Sequence, residues 1–136
     1  LLGPEMEMDY RKSAYQENGC IVTSVVVRLE PGSQEQISMQ MDEYFNRRKE
    51  RQPLEMPSAG SVFKRPEGMY AGTLIEEAGL KGTQIGGAMV SEKHAGFVIN
   101  RGGATCAAVL ALVDQVNERV LQQTRVELQM EVRVLR

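Results

Sequence analysis

Four glycines close together, Gly79, Gly82, Gly86 and Gly87, break the middle of this chain and limit its neighbourhood to short elements. Gly79 follows Ala71–Ala78, a predicted short helix with Leu74 and Ile75 inward, and suits the left-handed position that closes such a helix. Beyond it the pattern predicts two short strands, Gln84–Val90 and Gly96–Asn100, in which glycine permits bulges or close backbone approach. These glycines do not spell a phosphate loop, because neither a Walker-type run ending in Gly-Lys nor a spaced glycine triplet between strand and helix is present. Arg101-Gly102-Gly103-Ala104 reads as a turn, and Thr105 as the N-cap of a helix reaching about Gln122. Val109, Leu112, Val113, Val116 and Val120 give that helix one apolar face. The last segment alternates, with Val126, Leu128, Met130, Val132 and Val134 on one side and Glu127, Gln129, Glu131 and Arg133 on the other. It predicts a half-buried strand, and parity alone makes Glu131 a solvated glutamate.

Upstream, Ile21–Leu29 is rich in β-branched residues between Gly19 and Pro31-Gly32, which predicts a strand leaving a hairpin whose other arm is Tyr10–Tyr15. Ser33 and Gln36 form a capping-box pattern, and Ile37, Met41, Tyr44 and Phe45 recur at helical spacing until Pro53. The expectation is an amphipathic helix with a buried stripe, in which Met39 and Met41 fill core gaps. Arg47-Arg48-Lys49-Glu50-Arg51 closes that helix, where cations complement the negative end of the dipole. Helices mixed with short strands place the chain in the α+β class. A hydrophobic fraction of 42% suffices for a core.

Cys20 and Cys106 lack a CxxC or a His-Cys cluster, so both are expected to be small core-filling residues, with no metal site. A net charge of −2 and the absence of tryptophan argue against nucleic-acid binding. No apolar run approaches the roughly 20 residues that span a bilayer, and Leu1-Leu2-Gly3-Pro4-Glu5 lacks the basic start of a signal peptide. A cytoplasmic location, with no membrane partner, is the expectation.

The run Pro57-Ser58-Ala59-Gly60-Ser61-Val62-Phe63-Lys64-Arg65-Pro66 looks most like a site. Ala59 and Gly60 remove bulk before Ser61, Phe63 supplies an apolar wall, and Lys64 and Arg65 suit an anionic ligand. The plain alternative is a Gly-Ser turn closed by proline.

The residues beyond Ser61 bear on that choice. The order Ala71-Gly72-Thr73 to Gly82, Gln84-Ile85-Gly86-Gly87-Ala88, Ser91-Glu92-Lys93-His94-Ala95-Gly96-Phe97-Val98-Ile99-Asn100 and Glu131-Val132-Arg133, with Tyr10-Arg11-Lys12-Ser13 upstream, resembles the C-terminal half of the UDP-N-acetylenolpyruvoylglucosamine reductase family. That resemblance implies a bacterial flavoenzyme of cell-wall precursor synthesis. In such an enzyme NADPH reduces a bound FAD, and hydride then passes to the enolpyruvyl ether of UDP-N-acetylglucosamine to give UDP-N-acetylmuramate. It implies that Ser61 protonates C2, that Arg11 steadies the carboxylate whose charge grows, and that Glu131 lies against the same carboxylate. For Glu131 to sit there, it would be the neutral acid or be offset by Arg11.

Lys64, Arg65, His94 and Tyr10 are implied as substrate contacts, although many relatives carry Asn where Arg65 stands and a lone histidine is more often structural. The short intervals around Ser61 resemble the subgroup without the tyrosine-bearing substrate loop. Leu128-Gln129-Met130 replaces a Pro-containing lead-in to Glu131.

Flavin-binding glycine motifs, which the family carries upstream of the Tyr-Arg element, are not among these residues. The resemblance therefore implies a C-terminal piece: residues 1–56 end the FAD-binding region, 57–123 form the substrate-binding domain, and 124–136 return as a terminal strand. Its expected partners are the UDP-sugar substrate and the N-terminal FAD-binding portion of the same protein. Alone it is expected neither to hold FAD tightly nor to turn over. The competing readings are a non-catalytic UDP-sugar-binding module and a generic α+β interaction domain.

Overall fold

A computed structural model describes residues 3–9, 12–16 and 18–135. It divides into two units, Leu1–Ile37 and Ser38–Arg136. The first unit holds two short 3-10 turns, Gly3–Met6 and Ala14–Gln16. Between them Asp9 and Lys12 exchange backbone hydrogen bonds of 3.0 and 3.1 Å. The predicted strand over 21–29 does not form, and its side chains are exposed, Val26 to 98%. β-Branched residues favour extended chain, yet a strand is stabilised by its ladder and its cross-strand neighbours. Among the described residues no strand pairs with this stretch. Part of its predicted partner, Tyr10 and Arg11, lies outside the described residues.

Helix α1, Gln34–Arg51, begins where the capping pattern predicts, with Ser33 Oγ accepting from the Gln36 N–H at 3.5 Å. The buried stripe is not observed. No residue of α1 is buried, and Met39, Met41, Tyr44 and Phe45 all face solvent. Local contacts support its end: the Arg47 guanidinium lies 5.1 Å from the Tyr44 ring, and Arg48 Nε donates to Gln52 Oε1 at 2.9 Å.

The core of the second unit forms between a sheet and two helices. After β1 (Ser58–Ser61) come α2 (Ala71–Glu77), β2 (Gln84–Ile85), β3 (Ala88–Val90), β4 (Phe97–Asn100) and α3 (Cys106–Thr124). The sheet is antiparallel in the order β1-β4-β3-β2, which bears out the α+β class. The single predicted strand over 84–90 is instead a tight hairpin, β2 and β3, turning at Gly86-Gly87. Leu74 and Ile75 of α2 point inward, and Gly79 takes the left-handed conformation, φ 70°, just past the helix end.

Thr105 caps α3 as expected, its side chain accepting from the Ala108 N–H at 3.1 Å. Leu112, Val113, Val116 and Val120 are buried, and α3 packs on β2, β3 and α2. Pairing of Val90 with Val98 and of Met89 with Ile99 assigns the two faces of the sheet. Ala88, Val90 and Val98 join the α3 core, whereas Met89, Phe97 and Ile99 are buried on the opposite side.

Gly87 is needed for space. A Cβ there would overlap the Gly102 carbonyl oxygen and lie 2.5 Å from the Ala104 nitrogen. The loop it touches is held by Asn100, whose Oδ1 accepts from the Gly102 and Ala104 N–H groups at 2.8 and 3.1 Å.

Both cysteines are exposed, contrary to expectation. Cys20 belongs to the unpaired stretch of the first unit, and Cys106 opens α3 ahead of its buried stripe, which begins at Leu112.

Candidate active site

Ser61 owes its position to a bulge. Ser58 pairs with Ile99 and Ser61 with Phe97, so three steps along β1 oppose two along β4. Gly60, at φ 85°, absorbs the extra residue in a conformation that glycine adopts at least cost. Without the bulge Ser58 and Ser61 would alternate across the sheet. With it, Ser61 joins Phe97 on the face away from α3. Its Oγ donates to the Phe63 carbonyl at 3.3 Å. Gly60 thus has the turn-forming conformation of the plain alternative, whereas Ser61 ends a strand.

The ladder continues on the other edge of this segment. Lys64 N–H donates to the Gln129 carbonyl and Glu131 N–H to the Val62 carbonyl, each at 2.8 Å. Among the described residues that antiparallel bridge, Phe63 opposite Met130, is what forms of the predicted terminal strand. Leu128 is buried, and Val126 and Val132 pack against the α3 core. Alternation leaves the half-buried Glu131 on the other side of its segment. Asn117 of α3 fastens the approach, its Oδ1 accepting from the Leu128 N–H at 2.8 Å. Ser61 ends β1, and the segment of Glu131 runs antiparallel beside the residues that follow it. Arg11 and Tyr10, the remaining predicted partners, lie outside the described residues.

Lys64 and Arg65 are exposed beside an open cavity of about 460 Å³, lined also by Glu67, Arg125 and Glu127. Arg65 is not a free cation. Its guanidinium stacks on the Tyr70 ring at 4.0 Å and its Nε donates to the Met69 carbonyl at 3.2 Å. Arg125 was missed in sequence. It sits in the left-handed conformation, φ 63°, at the end of α3, and its proximity to Val126 hid it in the alternating run.

His94 lies on the loop joining β3 to β4 and meets Phe97 edge-on, with ring centroids 4.9 Å apart. Its Nδ1 accepts from the Gly96 N–H at 3.1 Å. Ser91, the buried polar residue of this core, organises the loop: its Oγ accepts from the Lys93 and His94 N–H groups at 3.2 and 3.3 Å. Sequence reading quoted Ser91, Gly72, Gly96 and Phe97 in the motifs of the resemblance but gave them no role at the site, because none carries chemistry by itself. The Ser-x-x-His spacing of a capped turn was the available signal.

Among the described residues no group of three His, Cys, Asp or Glu side chains could hold a metal, and no helix is long and apolar enough to cross a membrane. The glycine-rich middle does not fit a flavin. Gly79 closes a helix, Gly86 turns a hairpin and Gly87 is packed against its own chain, so none cradles a diphosphate.

Comparison with known proteins places this geometry. The sequence model of the UDP-N-acetylenolpyruvoylglucosamine reductase C-terminal domain matches residues 52–135. A UDP-N-acetylenolpyruvoylglucosamine reductase of Clostridium perfringens is 51% identical over 131 residues, covering 96% of this chain and 43% of the relative. One from Heliobacterium modesticaldum is 53% identical over 134 residues, covering 98% of this chain and 43% of the relative. The crystal structure of UDP-N-acetylenolpyruvylglucosamine reductase from Thermus caldophilus superposes with a TM-score of 0.76 at 40% identity, covering 95% of this chain and 46% of that one. The chain thus spans less than half the length of these relatives. The motifs around Ser61, the sheet that carries them and these matches agree that the chain belongs to the UDP-N-acetylenolpyruvoylglucosamine reductase family.

Proposed function

We propose that the protein containing this chain reduces the enolpyruvyl ether of UDP-N-acetylglucosamine to UDP-N-acetylmuramate in peptidoglycan precursor synthesis in the cytoplasm, with NADPH as reductant and FAD as carrier. The observation that carries this reading is the family match over residues 52–135, the span that includes Ser61, His94 and Glu131. Residues 57–123 are then the substrate-binding domain. Residues 1–56 and 124–136 belong with the FAD-binding region, and the exposed apolar run over 21–29 is consistent with a surface that the rest of the protein covers.

A bound flavin would supply hydride to C3 of the enolpyruvyl group. What falls to this chain is the charge and the proton. Ser61 gives its hydroxyl proton to C2, and Arg11 holds the carboxylate into which charge spreads. Glu131, whose N–H donates to the Val62 carbonyl, meets that carboxylate as the neutral acid or against Arg11. Lys64, Arg65, His94 and Tyr10 contact the UDP-sugar. The chain alone neither holds FAD tightly nor turns over. A yellow purified chain that oxidises NADPH when substrate is added would overturn that statement.

The test of the whole reading is Ser61→Ala in the full-length protein. NADPH should still reduce the flavin and substrate should still bind. Reoxidation of the reduced flavin by the enolpyruvyl substrate should fall by about a hundredfold or more. Weakened binding with an unchanged reoxidation rate would favour a UDP-sugar-binding role for this segment instead.

A further inference from the structure

The imidazole of His94 is held with unusual care for a side chain at the edge of a site. Two glycines that do not use positive φ make room for it. A Cβ on Gly72 would stand 3.2 Å from His94 Cε1, and a Cβ on Gly96 would stand 3.1 Å from the same atom and 3.2 Å from Nδ1. Such distances are tighter than ordinary van der Waals contact, so side chains at these positions would push the ring away. Phe97 bounds the ring edge-on, and Ser91 fixes the backbone that carries it. The polar atoms are fixed as well. Nδ1 accepts from the Gly96 N–H, which assigns the hydrogen of the imidazole to Nε2 and makes that nitrogen a donor. Among the described residues no side chain or carbonyl takes it.

Ser61 lies against the same small space. Its Oγ is 3.7 Å from the position of that absent Gly96 Cβ, and it pairs across the sheet with Phe97, the residue on which the His94 ring rests. Gly96 is therefore the gap that Ser61 and His94 share.

We infer that His94 is a positioning residue for Ser61, presenting its Nε2–H to the serine oxygen as that oxygen gives up its proton. The inference rests on the functional reading above. In the step, the Ser61 O–H bond breaks and a C–H bond forms at the C2 carbanion that hydride addition leaves. The O–H electron pair stays on the serine oxygen, which turns from the Phe63 carbonyl towards the donor. His94 lends a hydrogen bond and keeps its own proton, and the serine oxygen regains a proton from water once product leaves. A serine hydroxyl is a weak acid, so a preorganised N–H aimed at the forming alkoxide acts where the charge develops. A contact made only to substrate phosphate would instead act equally before and during the reaction.

The experiment uses the full-length protein and compares His94→Phe, His94→Gln and Gly96→Ala with the unaltered enzyme. Reduction of the flavin by NADPH reports folding and the upstream half-reaction. Reoxidation by the enolpyruvyl substrate, measured to saturation, separates rate from affinity. The expected result is normal flavin reduction in all three. Saturated reoxidation should be slowed about tenfold or more in His94→Phe and Gly96→Ala, beyond any loss of substrate affinity that removal of the His94 contact brings. His94→Gln, which keeps an N–H donor, should recover most of the rate. Unchanged saturated reoxidation in His94→Phe, or a loss confined to affinity, would overturn the inference, as would His94→Gln being no better than His94→Phe. An unaltered protein whose reduced flavin is not reoxidised by this substrate at all would overturn the functional reading itself, and the inference with it.

Discussion

Val26 and Val98 lie in stretches of similar composition, Ile21–Leu29 and Phe97–Asn100, yet Val26 is 98% exposed and Val98 is 7% exposed. Phe97–Asn100 has β1 on one edge, β3 on the other and buried residues on both faces. Ile21–Leu29 has no partner strand among the described residues. β-Propensity describes how well a side chain fits a pleated, half-buried surface, so a run without that surface stays irregular whatever its valines favour. The two stretches thus separate what this chain supplies for itself from what it would take from elsewhere.

The sharpest way to break the self-sufficient half is Gly87→Ala, which forces a methyl into the Gly102 carbonyl. It should cost about 3 kcal/mol or more in chemical unfolding of the chain, because backbone on both sides must move. Next come the paired valines. Val98→Ala should cost about 2 kcal/mol through lost burial and an unfilled space. Val26→Ala in the same chain should change stability by less than about 0.5 kcal/mol. A large effect at Val26 in this chain would show the stretch to be packed after all. A large effect in the full-length protein alone would identify it as covered there.

Thr105→Ala should cost about 1 kcal/mol by leaving the Ala108 N–H without its cap. The smallest effect is expected at Glu55, whose carboxyl is held below the ordinary value of 4.5 by a backbone hydrogen bond first and by Lys93 after that, against a desolvation that raises it. A depressed carboxylate contributes stability above its unfolded pKa, and that contribution is lost as pH falls through the lower, folded value. Glu55→Gln should therefore narrow its difference from the unaltered chain only below about pH 4.5, in melts taken across that range.

Elements whose partners are close in sequence were legible. Thr105 and Ala108, Leu74 with Ile75, and the valine stripe of α3 follow from periodicity and capping, since a helix satisfies its own backbone. Features that depend on a partner were not. The α1 stripe of Met41, Tyr44 and Phe45 is present in sequence and has nothing to bury against among the described residues. Among the described residues the predicted strand over 126–134 forms one bridge, Met130 opposite Phe63. At the site, Ser61 could be singled out by its small neighbours and motif. The bulge that aims it could not, because it depends on a mismatch of register between β1 and β4. Gly72 and Gly96 were illegible for a similar reason: a glycine kept for space differs from one kept for a turn only when its neighbour is known.

Among the described residues, hydrogen bonds from Leu128 to Asn117, from Glu131 to Val62 and from Lys64 to Gln129 fasten residues 128–131 to the rest of the second unit. None belongs to the ladder between β1 and β4. Release of this segment would break these bonds and expose Leu128 while the ladder between β1 and β4, which carries Ser61, stays closed. Amide hydrogen exchange would see that as one cooperative event, with the Lys64, Leu128 and Glu131 amides exchanging together and ahead of Val90 and Val98 in the sheet.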